Sequence, residues 1–322
     1  MNRKQKVSLV ILFTGVALYA CSKKVQDIVT LQVDEPEESV MSSAYTDSYT
    51  PGTTLYGDKN FVQFTVGDSN TAMIVTAGHG GTLRPAFIPD RTQGETAADL
   101  NTADLARRIA DSIKNRIGVR PHVIINNLHR IKLDPNRPED ELYLTHDSAK
   151  VAYDQYHEFI FIARRMVTER IGKGLLLDVH GHAHAIDRTE LGYLTTRTQI
   201  NATDVSLNTR GAQSSIKNIW NGSTFTYSEL LRGSKAFGTL MENEGMAAVP
   251  SQQDPSPGTA AYFNGGYTTL VHGSKDSGTI SAIQLEFPRP SVRESTTTRA
   301  AAASKLANVV RDFLAEHYNF TY

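Results

Sequence analysis

Residues 175–184 read LLLDVHGHAH, a stretch whose character changes within ten positions. The apolar run 174–177 predicts a buried strand, and it passes at once into Asp178 and three histidines at alternate positions, His180, His182 and His184. In a sheet covered by helices, ligands gather just outside the carboxyl ends of the strands, so this strand delivers Asp178 and His180 to such a place. Imidazole is the commonest metal ligand near neutral pH, and a metal-bound histidine usually gives its second ring N–H to a carboxylate or carbonyl. On these residues alone, a loop tethered by Asp178 and carrying polar histidines fits as well as a metal site.

Upstream, short apolar runs alternate with helical patterns. Residues 61–66 and 71–76 predict strands, and the second runs into AGHGG at 77–81, so His79 leaves a second strand end. The flanking glycines let the backbone turn sharply and approach a ligand, although they equally suit an ordinary turn in which His79 is incidental. Leu105, Ile109 and Ile113 mark one face of a helix over 99–117, with Gly118 at its end, and 123–125 predicts a strand. The next stretch, NLHRIKLDPNR at 127–137, is too polar and broken for either element. Its Arg130 and Arg137 offer planar forks suited to carboxylates, with Asp134 and Asn136 available to orient them. A long helix over 147–171 follows, in which Tyr153, Tyr156 and His157 read as core or helix-surface residues, and it leads back to the strand at 175. Strand, helix, strand, helix, strand in that order predicts parallel crossovers and an α/β sheet.

Downstream of His184 the pattern weakens. Residues 191–195 read as extended, 215–220 and 227–245 as short helical pieces, 250–266 as a turn-rich loop, and 267–272 as a resumed apolar pattern. The last strand, over 280–287, contains Glu286, which is either an edge-strand charge facing water or a carboxylate aimed into the site at a third strand end. An amphipathic helix over 299–317 closes the pattern.

The N-terminal region reads differently. Basic residues in 1–6 precede an apolar run at 7–20, too short to suit a mature transmembrane helix and laid out like a secretory signal. The run ends in Leu18-Tyr19-Ala20-Cys21, which resembles a bacterial lipobox, so Cys21 is the expected lipidation site, with an ordinary cleaved signal as the alternative. Cys21 is the one cysteine of the sequence, which excludes an internal disulfide and a thiolate metal site. Residues 22–54 are polar and predict a flexible tether, leaving 55–322 as a single domain. The expected location is the bacterial cell envelope, with attachment to the membrane through lipid, periplasmic or facing the outer membrane. Thirty-three Lys and Arg against 34 Asp and Glu give a formal net charge of −1, which offers no support for nucleic-acid binding.

Taken in order, HGG at His79, DPNR at 134–137, the tyrosine and histidine helix at 153–157, DVHGH at Asp178, GGYTTLVHG at Gly265 and IQLE at 283–286 resemble the N-formylglutamate amidohydrolase family. The resemblance spans about 71–293. It implies an α/β fold with a mostly parallel central sheet flanked by helices, like those of the zinc carboxypeptidases and aspartoacylase-like amidases, and a zinc-dependent amide hydrolase. On it, His79 and His180 match the family's two histidines and Glu286 matches the glutamate of its Gln-x-Glu strand, the general base. Asn136 and Arg137 resemble the pair with which carboxypeptidases hold a substrate carboxylate, with Arg130 as a further substrate-binding candidate. The third ligand departs from the carboxypeptidase pattern, because Thr82 stands where those enzymes carry a glutamate. Asp99 best resembles the family's acidic position, with Asp90 and Glu95 open. Asp178 would fix the geometry around His180, and His182, His184 and His272 are expected to be structural or rim residues.

The implied chemistry is attack of zinc-activated water on an amide, with Glu286 taking the proton and returning it to the leaving nitrogen. The substrate would be a small molecule or peptide bearing a carboxylate, such as an N-acyl amino acid. A lipid-anchored protein would instead meet peptidoglycan fragments and peptides, and a non-enzymatic binding lipoprotein on the same fold is the alternative of another class.

Overall fold

Alternation along the central strands decides which side chains meet which helices. The computed structural model describes residues 49–321, and the expected signal, lipidation site at Cys21 and most of the tether fall outside the described residues. Eight strands form one mixed sheet: β1 (Thr54–Tyr56), β2 (Val62–Thr65), β3 (Met73–Ala77), β4 (His122–Asn126), β5 (Gly174–Gly181), β6 (Thr189–Gly192), β7 (Ala248–Val249) and β8 (Ile280–Phe287). Their order is β1-β2-β4-β3-β5-β8-β6-β7. The centre, β4-β3-β5-β8, is parallel, and antiparallel pairings at β2–β4 and β8–β6 extend it on either side. This is the α/β architecture the strand and helix order predicts.

Three long helices cover the sheet: α1 (Thr102–Ile117), α2 (Asp147–Ile171) and α9 (Thr296–Tyr318). Between β6 and β7 run the short helices α3 (Arg197–Ile200), α4 (Asp204–Asn208), α5 (Lys217–Asn221), α6 (Tyr227–Arg232) and α7 (Phe237–Asn243), and α8 (Tyr267–His272) precedes β8. One core joins α1, α7 and α9 to Val75, Leu177, Val179, Ile283 and Leu285, and a second joins α2 to Ile74, Ile124, Leu176 and Ala282. Apolar burial on both faces is what a parallel sheet requires.

The face covered by α2 changes character toward the strand ends. Past Leu176 and Ala282, the residues of that face are polar and lie in register across the sheet: Thr76 beside Asp178 beside Gln284, then His180 beside Glu286 beside Glu190. All six are buried. Glu286 is therefore not an edge charge, because β8 lies inside the sheet between β5 and β6.

One boundary differs from the sequence expectation. Tyr49 is buried against Phe64, and Thr54 already belongs to β1, so the fold begins before residue 55. Residues 267–272, YTTLVH, form a helix although their β-branched content suits a strand. A long-range contact accounts for it: the Asn136 side-chain oxygen accepts the Thr268 N–H at 2.7 Å, satisfying one of the first-turn donors from another loop.

Candidate metal centre

His79 follows β3, in a turn that lies close against α1. A Cβ at Gly80 would overlap the Ala103 backbone nitrogen, so only glycine lets the turn sit there. Asp99 lies three residues before α1, where its backbone N–H donates to the His79 carbonyl (3.2 Å) and its carbonyl accepts the Thr102 hydroxyl (2.7 Å). His180 stands near the end of β5. These placements converge: His79 Nδ1 and Asp99 Oδ2 are 3.2 Å apart, His180 Nδ1 and Asp99 Oδ2 3.1 Å, and the two Nδ1 atoms 3.1 Å. All three residues are buried and form a candidate metal site. Asp90 and Glu95 lie elsewhere, Asp90 pairing with Lys132 at 2.6 Å and Glu95 accepting the backbone N–H groups of Thr96 and Ala97.

The far side of each imidazole settles its tautomer. His79 Nε2 lies 2.6 Å from Asp134 Oδ1, and His180 Nε2 lies 3.0 Å from Asp178 Oδ2. A carboxylate can only accept, so both Nε2 atoms donate, and Nδ1 is the atom through which either imidazole can offer a lone pair when neutral. Asp178 is itself held by the Thr76 hydroxyl at 2.7 Å, and Asp134 by Arg130 Nε at 2.9 Å. Three such donor atoms about 3 Å apart need positive charge among them, a proton in the metal-free protein or a metal ion when one is bound. Burial opposes charge on His180, but Asp178 and Asp99 outweigh it and hold its pKa well above the ordinary value. Burial likewise works against ionised Asp99, yet His79 and His180 keep it well below the usual carboxylate range.

The donor set fits zinc. Nitrogen and oxygen ligands at about 2.0–2.1 Å in a tetrahedron lie about 3.3 Å apart, close to the spacing seen here, and each histidine has a carboxylate behind it.

Glu286 is the cross-strand neighbour of His180. Its Oε1 accepts from Gln284 Nε2 at 2.9 Å, and its buried Oε2 has no partner among the described residues. Burial raises its pKa to about 8, against the pull of His180.

The residues expected to bind a substrate carboxylate separate. Arg130 is 12% exposed in its side chain and bridges the site acids, reaching Asp134 and, at 3.4 Å, Asp99 Oδ1. Asn136 has its oxygen on Thr268 N–H and its amide nitrogen 3.4 Å from His180 Nε2. Arg137 is 47% exposed, with carboxylates no nearer than 3.8 Å. Of the three, it alone keeps an open guanidinium.

The other histidines occupy separate places. His182 is satisfied at both nitrogens, by the His184 N–H and the Arg188 carbonyl, which leaves no lone pair for a metal in the grouping His182, His184 and Glu190. His184 pairs with Glu190 at 2.7 Å and stacks on Phe263 at the rim. His272 stacks on His157, whose Nε2 donates to the Pro135 carbonyl. Asp134 behind His79 is the residue that sequence reasoning assigned otherwise, to the arginines. It serves both, with one oxygen to each.

No protein-family model matches the chain, and no curated protein sequence does. Among solved structures it is similar to the N-formylglutamate amidohydrolase from Ralstonia eutropha JMP134, at 13% identity and a TM-score of 0.44 over 77% of this chain and 93% of that one. It is also similar to a gene product from Agrobacterium tumefaciens (13% identity, TM-score 0.45, 84% and 97% covered). The succinylglutamate desuccinylase from Chromobacterium violaceum overlaps less well (9%, 0.36, 85% and 73%). Likeness at this level transfers no activity, and the chemistry of this chain rests on its own residues.

Proposed function

We propose that the protein is a zinc-dependent hydrolase of amide bonds in N-acyl amino acids or peptides that carry a free carboxylate. The observation that carries it is the convergence of three potential ligand atoms, from His79, Asp99 and His180, beside a buried carboxylate, Glu286, one of whose oxygens has no partner among the described residues. A zinc ion held by those three side chains supplies Lewis acidity and makes water acidic enough to act as a nucleophile near pH 7.

The chain's own residues do the rest. Glu286 Oε2 accepts the proton of the attacking water and returns it to the leaving nitrogen, so that a C–O bond replaces the C–N bond and a carboxylic acid and an amine result. Its pKa of about 8 belongs to the protein without a dication, and a nearby double positive charge lowers it toward the basic form. Asp134 and Asp178 keep the imidazoles in the Nε2–H tautomer, Arg130 ties Asp134 to Asp99, and Arg137 receives the substrate carboxylate as an exposed fork.

Purified protein is expected to contain about one zinc per chain by metal analysis. His79→Ala and His180→Ala lose it, and full retention in either would refute the assignment. Glu286→Gln keeps zinc and loses at least about 100-fold in kcat, the low end for general acid–base catalysis. Arg137→Ala lowers kcat/KM for substrates with a free carboxylate far more than for their amides.

We further propose lipid attachment at Cys21 and action in the cell envelope, on the strength of the basic start, the apolar run and Leu18-Tyr19-Ala20-Cys21. Mass spectrometry of the membrane fraction should find a mature N-terminus at a lipid-bearing Cys21. An unmodified cysteine there would remove the envelope from the proposal and favour soluble N-acyl amino acids as substrates.

A further inference from the structure

Just beyond β8, Arg293 carries a buried guanidinium that, among the described residues, makes no ion pair. Its donors go to three backbone carbonyls instead: Nε to Phe287 at 2.9 Å, Nη1 to Leu100 at 2.7 Å and Nη2 to His182 at 2.8 Å. Those carbonyls are not arbitrary. Phe287 follows Glu286, Leu100 follows Asp99, and His182 lies two residues after His180. One rigid plane thus joins the three segments that bring the base and two of the three metal-site donors together. The Arg293 carbonyl adds a return contact, accepting from Asn101 Nδ2 at 2.8 Å. Gly181 lies flat against the guanidinium, and a Cβ there would overlap Cζ and Nε.

We propose that Arg293 is a positioning residue that sets the distance between the metal-site donors and Glu286. The inference rests on the metal-hydrolase reading and adds to it the group that holds its parts in register. Arginine suits the task because its planar fork reaches three carbonyls from fixed directions at once, whereas a lysine ammonium is a point on a flexible stem. Nothing in the spacing of the sequence singles it out, since its partners come from three separate segments of the chain. A displacement of about 1 Å in such a constellation is enough to cost about 100-fold in rate.

The test uses the full-length chain with zinc alone as the probe for affinity, by chelator competition, and cobalt(II) as a spectroscopic probe of donor geometry. Arg293→Lys and Gly181→Ala should each weaken zinc at least about 10-fold, the effect usual for residues that orient ligands, and both should alter the visible cobalt spectrum. Phe313→Ala, on α9 in the core against Phe237 of α7, is the comparison: it should lower the melting temperature while leaving zinc affinity and spectrum unchanged. If Arg293→Lys and Gly181→Ala match wild type within about twofold in affinity and in spectrum, the inference is overturned while the metal site stands. Failure of both variants to fold also overturns it, because Arg293 would then serve the fold and not the site. Should wild type hold no zinc, or His180→Ala hold it equally well, the metal-hydrolase reading fails first and this inference with it.

Discussion

Asp134 shows how much a single carboxylate can do when both oxygens are used. One takes the His79 Nε2 proton at 2.6 Å and the other takes Arg130 Nε at 2.9 Å, so the tautomer of a metal-site histidine and the position of a cation depend on one buried side chain. Burial disfavours its charge, but His79 and Arg130 hold its pKa far below the ordinary value. Asp134→Asn keeps the shape but makes half of the group a donor, which cannot accept from both partners. Zinc affinity should then fall about 10- to 100-fold, and chelator competition would show it; an affinity equal to wild type would mean that the tautomer is fixed some other way. The histidines were legible in the sequence because each follows an apolar run that marks a strand end. Asp134 was visible only as a neighbour of arginines. Its contact with His79 spans 55 positions of sequence, and no local period encodes such a contact.

At the scale of elements, strands and long helices follow from local signals: a four-residue spacing with Gly118 at its close for α1, and two-residue alternation for β8. The short helix α8 does not, because its first turn is completed by Asn136 from a loop more than a hundred residues earlier. Asn136 was expected to bind substrate through its likeness to a carboxypeptidase pair, whereas its amide oxygen is occupied in capping α8. Asn136→Ala should therefore lower stability to urea by about 1–2 kcal/mol, the usual cost of losing a cap. It should leave untouched the preference for carboxylate over amide substrates that Arg137→Ala abolishes. A loss of that preference in Asn136→Ala would return the residue to substrate binding.

Across the molecule as a whole, ionisable groups are buried outside the metal centre too, and His122 is one whose response to pH involves none of the metal-site residues. His122, the first residue of β4, is buried beside Phe64 and accepts the Gly67 N–H on Nδ1 at 3.0 Å. Burial, assisted by Arg170, lowers its pKa to about 3. Above pH 6.5 the imidazole is neutral in folded and unfolded chains alike. As the pH falls from there toward 3, the unfolded chain gains a proton that the folded one refuses, so folding stability is lost by about 1.4 kcal/mol per pH unit from this residue. His157, which burial lowers to about 4, acts in the same direction. His122→Asn keeps an acceptor where Nδ1 stood and removes the titration. In chelator-treated protein, urea unfolding at pH 6.5 and 4.5 should show the variant losing about 2–3 kcal/mol less than wild type over that interval. Equal losses would mean that the folded protein admits the proton at β4 after all.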